Sequence, residues 1–320
     1  LSFSAEDTEV NGVASGLAET LYRVNGGTFT ASTSSFTLEG EDGAYALDYR
    51  SFDRLGNEEG LRTKVLPLDK TAPITLMGVQ GGRQAEGPSA GSFYASSDTR
   101  LSLLVADPVA GGVASGVELT LLKDDGVLLE PATAAFSLLE GPHPLEYQSR
   151  DRVGNEEILL STMVLVDATA PLTEAEVVGA SATLPGKIFI GPTGSVKLSA
   201  YDPITAGVAS GFARILWDVD DSTQTSLSSA TVADFGPGEH VLAFGSEDNV
   251  GNLEPQQSLD IIVDTAPPRI SGLVPGAGQV FRNGIDTITV SFDVGDDWDP
   301  APAARAFLRR LEDLGVQGGT

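Results

Sequence analysis

The chain has 320 residues, a formal net charge of −26, no cysteine and two histidines. That acidity excludes nucleic-acid binding through a basic face and adhesion to an anionic bilayer, because both need clustered Lys and Arg. Without thiols there is no disulfide or thiolate chemistry, and two histidines leave little for zinc or a catalytic triad. Glycine (37), proline (18) and a 41% hydrophobic content describe a globular, turn-rich chain, with no apolar run of about 18 residues that could span a membrane as a helix.

Read from the N-terminus, the chain repeats itself. The string VASG occupies 13–16, 113–116 and 208–211. Asp-x-[Leu/Val]-Gly-Asn follows at 53–57, 151–155 and 248–252. Thr-Ala-Pro begins at Thr71, Thr169 and Thr265, each closely preceded by an aspartate (Asp69, Asp167, Asp264). Three marks recurring in order with one period of roughly 97 residues define tandem domains. The predicted boundaries are 1–69, a repeat lacking its first strand; 70–167 and 168–264, two complete repeats; and 265–320, a partial one. Both ends cut through a repeat, so the chain reads as a segment of a longer array.

The texture within a repeat is all β, with short alternating stretches separated by turn residues. In the second repeat the expected strands are 101–107, 117–122, 127–129, 135–139, 143–149 and 158–166. The entry strand after Ala170 brings the set to seven, the count of a β-sandwich. Before each Asp-x-x-Gly-Asn the columns Leu47/Leu145/Leu242 and Tyr49/Tyr147/Phe244 alternate with polar residues, as a half-buried strand requires. His143 and His240 share a column with Tyr45, which predicts a packing or corner position and argues against a catalytic role. Trp217 is expected in the core of strand C and Trp298 at the surface. Segment 302–311 has a helical composition, but its register with the other repeats predicts strand C.

The order of these marks resembles bacterial immunoglobulin-like repeats strung along large surface and secreted proteins, closest to the variety named after a spirochaete outer-membrane protein. The resemblance spans nearly all of the chain. It implies tandem Ig-like seven-stranded sandwiches in a linear array, extracellular or at the cell surface, with a spacing or adhesive role and calcium at the domain joints.

Topology leads to the same ion. Successive strands of a sandwich reverse direction, so loops BC and FG share one end with the incoming linker. BC begins with Asp7, Asp107 and Asp202; FG begins with Asp53, Asp151 and Asp248. Asp69, Asp107 and Asp151 should therefore converge at one joint, and Asp167, Asp202 and Asp248 at the next. Asp7 and Asp53 lack a linker partner, and Asp264 is expected to meet an acid within 296–299. Packed carboxylates call for a cation, and an all-oxygen, loop-borne ligand set suits calcium better than magnesium, zinc or copper. The alternative is turn chemistry alone: Asp-x-x-Gly-Asn is a competent Asx-type turn, and Asp near Thr-Ala-Pro can simply end a strand.

These features predict a non-catalytic spacer or stalk whose partners are other repeats of the same long chain, in a surface or fibre assembly. The runner-up is a glycan- or protein-binding surface module, for which no loop is aromatic-rich. Catalysis is not expected, because no Ser-His or Cys-His arrangement exists and no catalytic residue stands out. A transmembrane barrel is rejected because the chain lacks aromatic girdles.

Overall fold

In this computed structural model the described residues are 1–130, 132–267, 269–274 and 291–295. Among them there is no helix, and so none long and apolar enough to cross a membrane. The chain divides into two compact units. The first comprises Leu1–Thr169 with the loops Asp202–Gly211 and Asn249–Asn252; the second comprises Ala170–Tyr201, Phe212–Asp248 and the remainder. Trp298, the acids at 296–299 and the segment 302–311 lie outside the described residues.

In the first unit, β1 (Leu17–Val24), β2 (Thr30–Ala31), β3 (Gly43–Asp53) and β4 (Arg62–Leu68) form one sheet in the order β2-β1-β3-β4. The next stretch supplies β5 (Ile74–Gln80), β6 (Gln84–Glu86), β7 (Phe93–Ser96), β8 (Arg100–Ala106), β9 (Val117–Asp124), β10 (Val127–Leu128), β11 (Gly141–Asp151) and β12 (Leu160–Asp167). β5 pairs antiparallel with β8, while β10-β9-β11-β12-β7-β6 make the facing sheet. β7 joins that sheet by running parallel to β12.

The second unit repeats the plan with β13 (Leu172–Val178), β14 (Ser181–Leu184), β15 (Lys187–Ile190), β16 (Ser195–Tyr201), β17 (Phe212–Val219), β18 (Ser222–Ser226), β19 (Ala230–Val232), β20 (Gly238–Asp248) and β21 (Gln257–Val263). Its sheets run β13-β16-β19 and β14-β15-β21-β20-β17-β18. Two further strands, β22 (Arg269–Val274) and β23 (Ser291–Gly295), pair antiparallel. A small sheet of the first, second and fifth strands facing a larger one that the first strand re-enters in parallel is the sandwich order of immunoglobulin-like domains. The fold is all-β and sandwich-type.

Two details depart from the sequence expectation. The segment 135–139 forms no strand; only Phe136 bridges Leu101, through backbone bonds of 2.9 Å in each direction. The corresponding place in the second unit is the strand β19, where Ala230 and Val232 are buried and pair with β16. The entry segment is also split, so that β7 and β15 cross to the other sheet and the seven-strand count is exceeded.

The cores follow from alternation. Leu122, Leu145 and Val164 are fully buried in the first unit, as are Val196, Leu198, Ile215 and Leu242 in the second. Each such side chain stabilises by roughly 1.5–3 kcal/mol. Trp217 packs on the second core, partly buried, as expected of strand C. Along β11 the alternating positions change character: Leu145 and Tyr147 are apolar, then Ser149 and Asp151 are polar and buried. β20 repeats this as Leu242, Phe244, Ser246 and Asp248. The strand thus carries a carboxylate to one end of a hydrophobic core.

Candidate metal centre

The VASG glycine explains two of the three sequence marks together. Gly116 has φ +85°, where an L side chain is strained, and a Cβ there would meet the Arg152 guanidinium at 3.4 Å. Its N–H donates to Asp107 Oδ2 at 2.6 Å, and its carbonyl accepts from Arg152 N at 3.0 Å. The BC and FG loops are therefore tied through one residue. Asp151 closes the FG turn: Oδ1 accepts from the amides of Val153, Gly154 and Asn155, and Oδ2 from Asn155 Nδ2 at 2.7 Å. Burial pushes this carboxyl upward, but the Asn155 side chain and those amides outweigh it and hold the pKa below the usual aspartate value.

The linker completes the group. Asp69, 8% exposed, accepts from Thr71 N and, through Oδ2, from Ser115 N at 2.6 Å. Asn155 Nδ2 also donates to the Asp69 carbonyl at 3.1 Å. One carboxylate oxygen each from Asp69, Asp107 and Asp151 lie within 4.8 Å of one another. Oxygens that share one calcium ion at about 2.3–2.6 Å can lie within that limit of one another. No Lys or Arg forms an ion pair with these three among the described residues. At an effective dielectric near 20, ionised carboxylates within this limit repel by roughly 3 kcal/mol or more per pair.

One atom is not accounted for by turn chemistry. Asp107 Oδ1 is buried and receives no hydrogen bond, and the Ser115 hydroxyl nearby in sequence is in the same condition. A buried carboxylate oxygen without a donor is costly unless a cation meets it. The donor set, all oxygen and mostly carboxylate, fits a hard divalent cation.

The other candidate residues divide by what surrounds them. Asp167 Oδ2 accepts from Ser210 N at 2.6 Å and Asp202 Oδ2 from Gly211 N at 2.7 Å, repeating Asp69 and Asp107. Asn252 Nδ2 donates to the Asp167 carbonyl at 3.0 Å. Asp248 ends β20 as Asp151 ends β11, and is 1% exposed. Asp7 and Asp53 keep the local bonds, from Gly16 N at 2.8 Å and from Asn57 Nδ2 at 2.6 Å. Asp264 accepts from Ala266 N at 2.9 Å, the bond Asp69 makes with Thr71.

The histidine column is a corner. Tyr45 Oη donates to Glu41 O at 2.7 Å; His143 Nε2 lies 2.8 Å from Leu139 O and His240 Nε2 2.7 Å from Gly236 O, always four residues back. The other ring nitrogens meet Asp124 and Asp220. The Asp220 bond and the Gly236 carbonyl raise the His240 pKa despite its burial.

Sequence reasoning missed a partly buried glutamate that recurs between repeats. Glu157 accepts from Thr75 N at 2.9 Å, from the Thr75 hydroxyl and from Ser149 N at 2.7 Å, while Thr75 Oγ1 and Ser149 Oγ are 2.7 Å apart. Glu254 does the same with Thr173, Ser246 and Gln257. Burial raises the Glu254 pKa, but these donors prevail and lower it, the Thr173 hydroxyl foremost. The signal was present: a glutamate stands six residues after each motif aspartate (Glu59, Glu157, Glu254), and a threonine two residues after the prolines Pro73 and Pro171.

Strand order and the loop-end carboxylates define the class: all-β, immunoglobulin-like sandwich modules with a candidate cation site. No protein-family model matches the chain, and no curated protein matches it. Among solved structures it is similar to the fibronectin(III)-like modules of Clostridium thermocellum CbhA. There the identity is 17%, the TM-score 0.29, and the match covers 59% of this chain and 95% of that one. It is also similar to Bacteroides ovatus SGBP-B, of a mixed-linkage glucan utilization locus, solved with a heptasaccharide, at 13% identity and a TM-score of 0.15. That match covers 80% of this chain and 64% of the other. Neither likeness is close enough to carry a functional reading, which rests on the residues of this chain.

Proposed function

We propose that the chain is a non-catalytic spacer of an extracellular bacterial repeat protein, whose neighbouring repeats are clamped by calcium at the linker aspartates. The observation that carries this reading is the buried, donor-less Asp107 Oδ1 within a group of three carboxylates that no basic side chain neutralises. Asp69 comes from the linker, Asp107 from the BC loop and Asp151 from the FG loop. An ion held by all three ties the linker to both loops. The ion supplies only charge neutralisation and coordination; the chain supplies pre-oriented carboxylates, each fixed through its other bonds by backbone amides.

The test is thermal melting and small-angle scattering of the 320-residue protein in calcium, in magnesium and in chelator, with terbium luminescence to read occupancy. A calcium-specific rise in Tm with terbium sensitisation supports the proposal. Identical melting and scattering in all three buffers overturns it and leaves the aspartates as turn residues.

A further inference from the structure

Beside the carboxylate group, the BC loop carries a two-residue turn that is shared by three copies and differs in its first residue. Ala110 and Val113 exchange backbone bonds of 3.0 and 2.9 Å, and Gly111 and Gly112 between them have φ of +55° and +79°. Asn11–Gly12 and Ala206–Gly207 adopt the same positive φ angles between the bridged pairs Val10–Val13 and Thr205–Val208. The first position is thus Asn, Gly or Ala, so the backbone shape by itself does not demand a glycine there.

At position 111 the demand comes from the preceding repeat. A Cβ on Gly111 would overlap the Asp42 carbonyl oxygen and stand 2.5 Å from its carbon and 3.0 Å from Gly43 N. A Cβ on Gly112 would meet none of the described atoms within 4 Å. In the third copy a methyl is accommodated: Ala206 Cβ lies 3.9 Å from where a Cβ on Gly141, the counterpart of Gly43, would stand. The Asp42 carboxylate meanwhile holds the linker, Oδ1 accepting from Lys70 N at 2.5 Å and Oδ2 from the Thr71 hydroxyl. Lys70 Nζ donates to the Gly40 carbonyl. Residues 40–43 therefore meet the second repeat's BC turn with their backbone and grip the linker with one side chain, all within the first unit.

We infer that residues 40–43 are a docking surface for the glycine-bearing BC turn of the repeat that follows, and that this contact fixes the joint of the first two repeats without a cation. Backbone packs on backbone, so the fit is steric and selects a following repeat with no side chain at the first turn position. A turn with asparagine there, as at Asn11, is turned away. The Asp42 bonds order Lys70 and Thr71, which removes the freedom the linker would otherwise have between the repeats. The inference stands apart from the cation reading, because Asp42, Gly111 and Thr71 are not among the three clustered aspartates.

The test uses the 320-residue protein, whose lack of cysteine lets one spin label be placed in each repeat through Lys64→Cys and Lys123→Cys, both at exposed positions. In chelator, the distance distribution between the labels should be single and narrow in this parent and in its Gly112→Ala variant, and broad or displaced in Gly111→Ala. Both alanines carry the same left-handed backbone strain, so their difference reads the contact with Asp42. Asp42→Ala leaves the turn glycine in place and gives a second measurement should Gly111→Ala fail to fold. It should speed hydrogen exchange of the Lys70 amide about tenfold or more, for loss of a charge-assisted bond. A broad distribution in the parent that narrows only with calcium overturns the inference and leaves the cation reading standing. Equal distributions in the two alanine variants, or unchanged Lys70 exchange in Asp42→Ala, also overturn it.

Discussion

The first and second repeats carry the same marks and the same local bonds, and in the second the described residues also include the incoming linker and entry strand. Asp7 on Gly16 and Asp53 on Asn57 reproduce Asp107 on Gly116 and Asp151 on Asn155. What the second repeat adds is the linker aspartate Asp69 and strand β5, with Thr75 seated on Ser149 and Glu157. The local turn bonds of the BC and FG aspartates therefore recur wherever the motif occurs, while Asp69, from a different part of the chain, brings a third carboxylate to the Ser115 amide beside them.

The sharpest way to break the comparison is at the glutamates. Glu157→Ala strands Thr75 and Ser149 groups inside the second repeat and should destabilise the first unit by about 3 kcal/mol or more. Glu59→Ala removes only an exposed ion pair and should cost under about 0.5 kcal/mol. Urea denaturation of both variants measures the difference, and equal losses would mean that the two repeats are held alike. The aspartates give a somewhat smaller contrast. With calcium at a hundredfold excess over Kd, binding stabilises by about 2.7 kcal/mol, which Asp107→Asn should remove. In chelator the same substitution should stabilise slightly, since it relieves repulsion. Asp7→Asn, with no linker aspartate at hand, should show no such reversal of sign when both are followed by thermal melting.

The repeat marks made the loop-end aspartates legible, because each falls where a sandwich brings its BC loop, FG loop and incoming linker to one end. Strands such as β9 and β11 could be read from alternation, since one face of each is buried. Three things could not. β19 and the lone Phe136 bridge occupy equivalent places, and only the burial of Ala230 and Val232 separates a strand from a contact. The parallel crossing of β7 and β15 depends on which sheet has a free edge, which alternation does not encode. Glu157 and Thr75 stand 82 residues apart, and an acid in an acid-rich chain looks solvated until a buried hydroxyl is seen to need it.

The corner column gives the smallest contrast and the finest one. His240 bonds Asp220 and the Gly236 carbonyl, whereas the first repeat uses Tyr45 on Glu41. The folded-state pKa of His240 is raised, chiefly by Asp220. A raised histidine contributes stability that is complete below its unfolded value, near 6.5, and is lost as pH climbs through the folded one. The second unit should therefore weaken by less than about 1 kcal/mol on going from pH 6 to pH 8, the half-exposed Asp220 partner being screened by solvent. His240→Tyr places the first repeat's corner in the second unit: the hydroxyl can still reach the Gly236 carbonyl, and nothing there titrates near neutrality. Melting curves across that pH range should flatten in the variant. A slope that survives the substitution would assign the pH dependence to groups other than the corner.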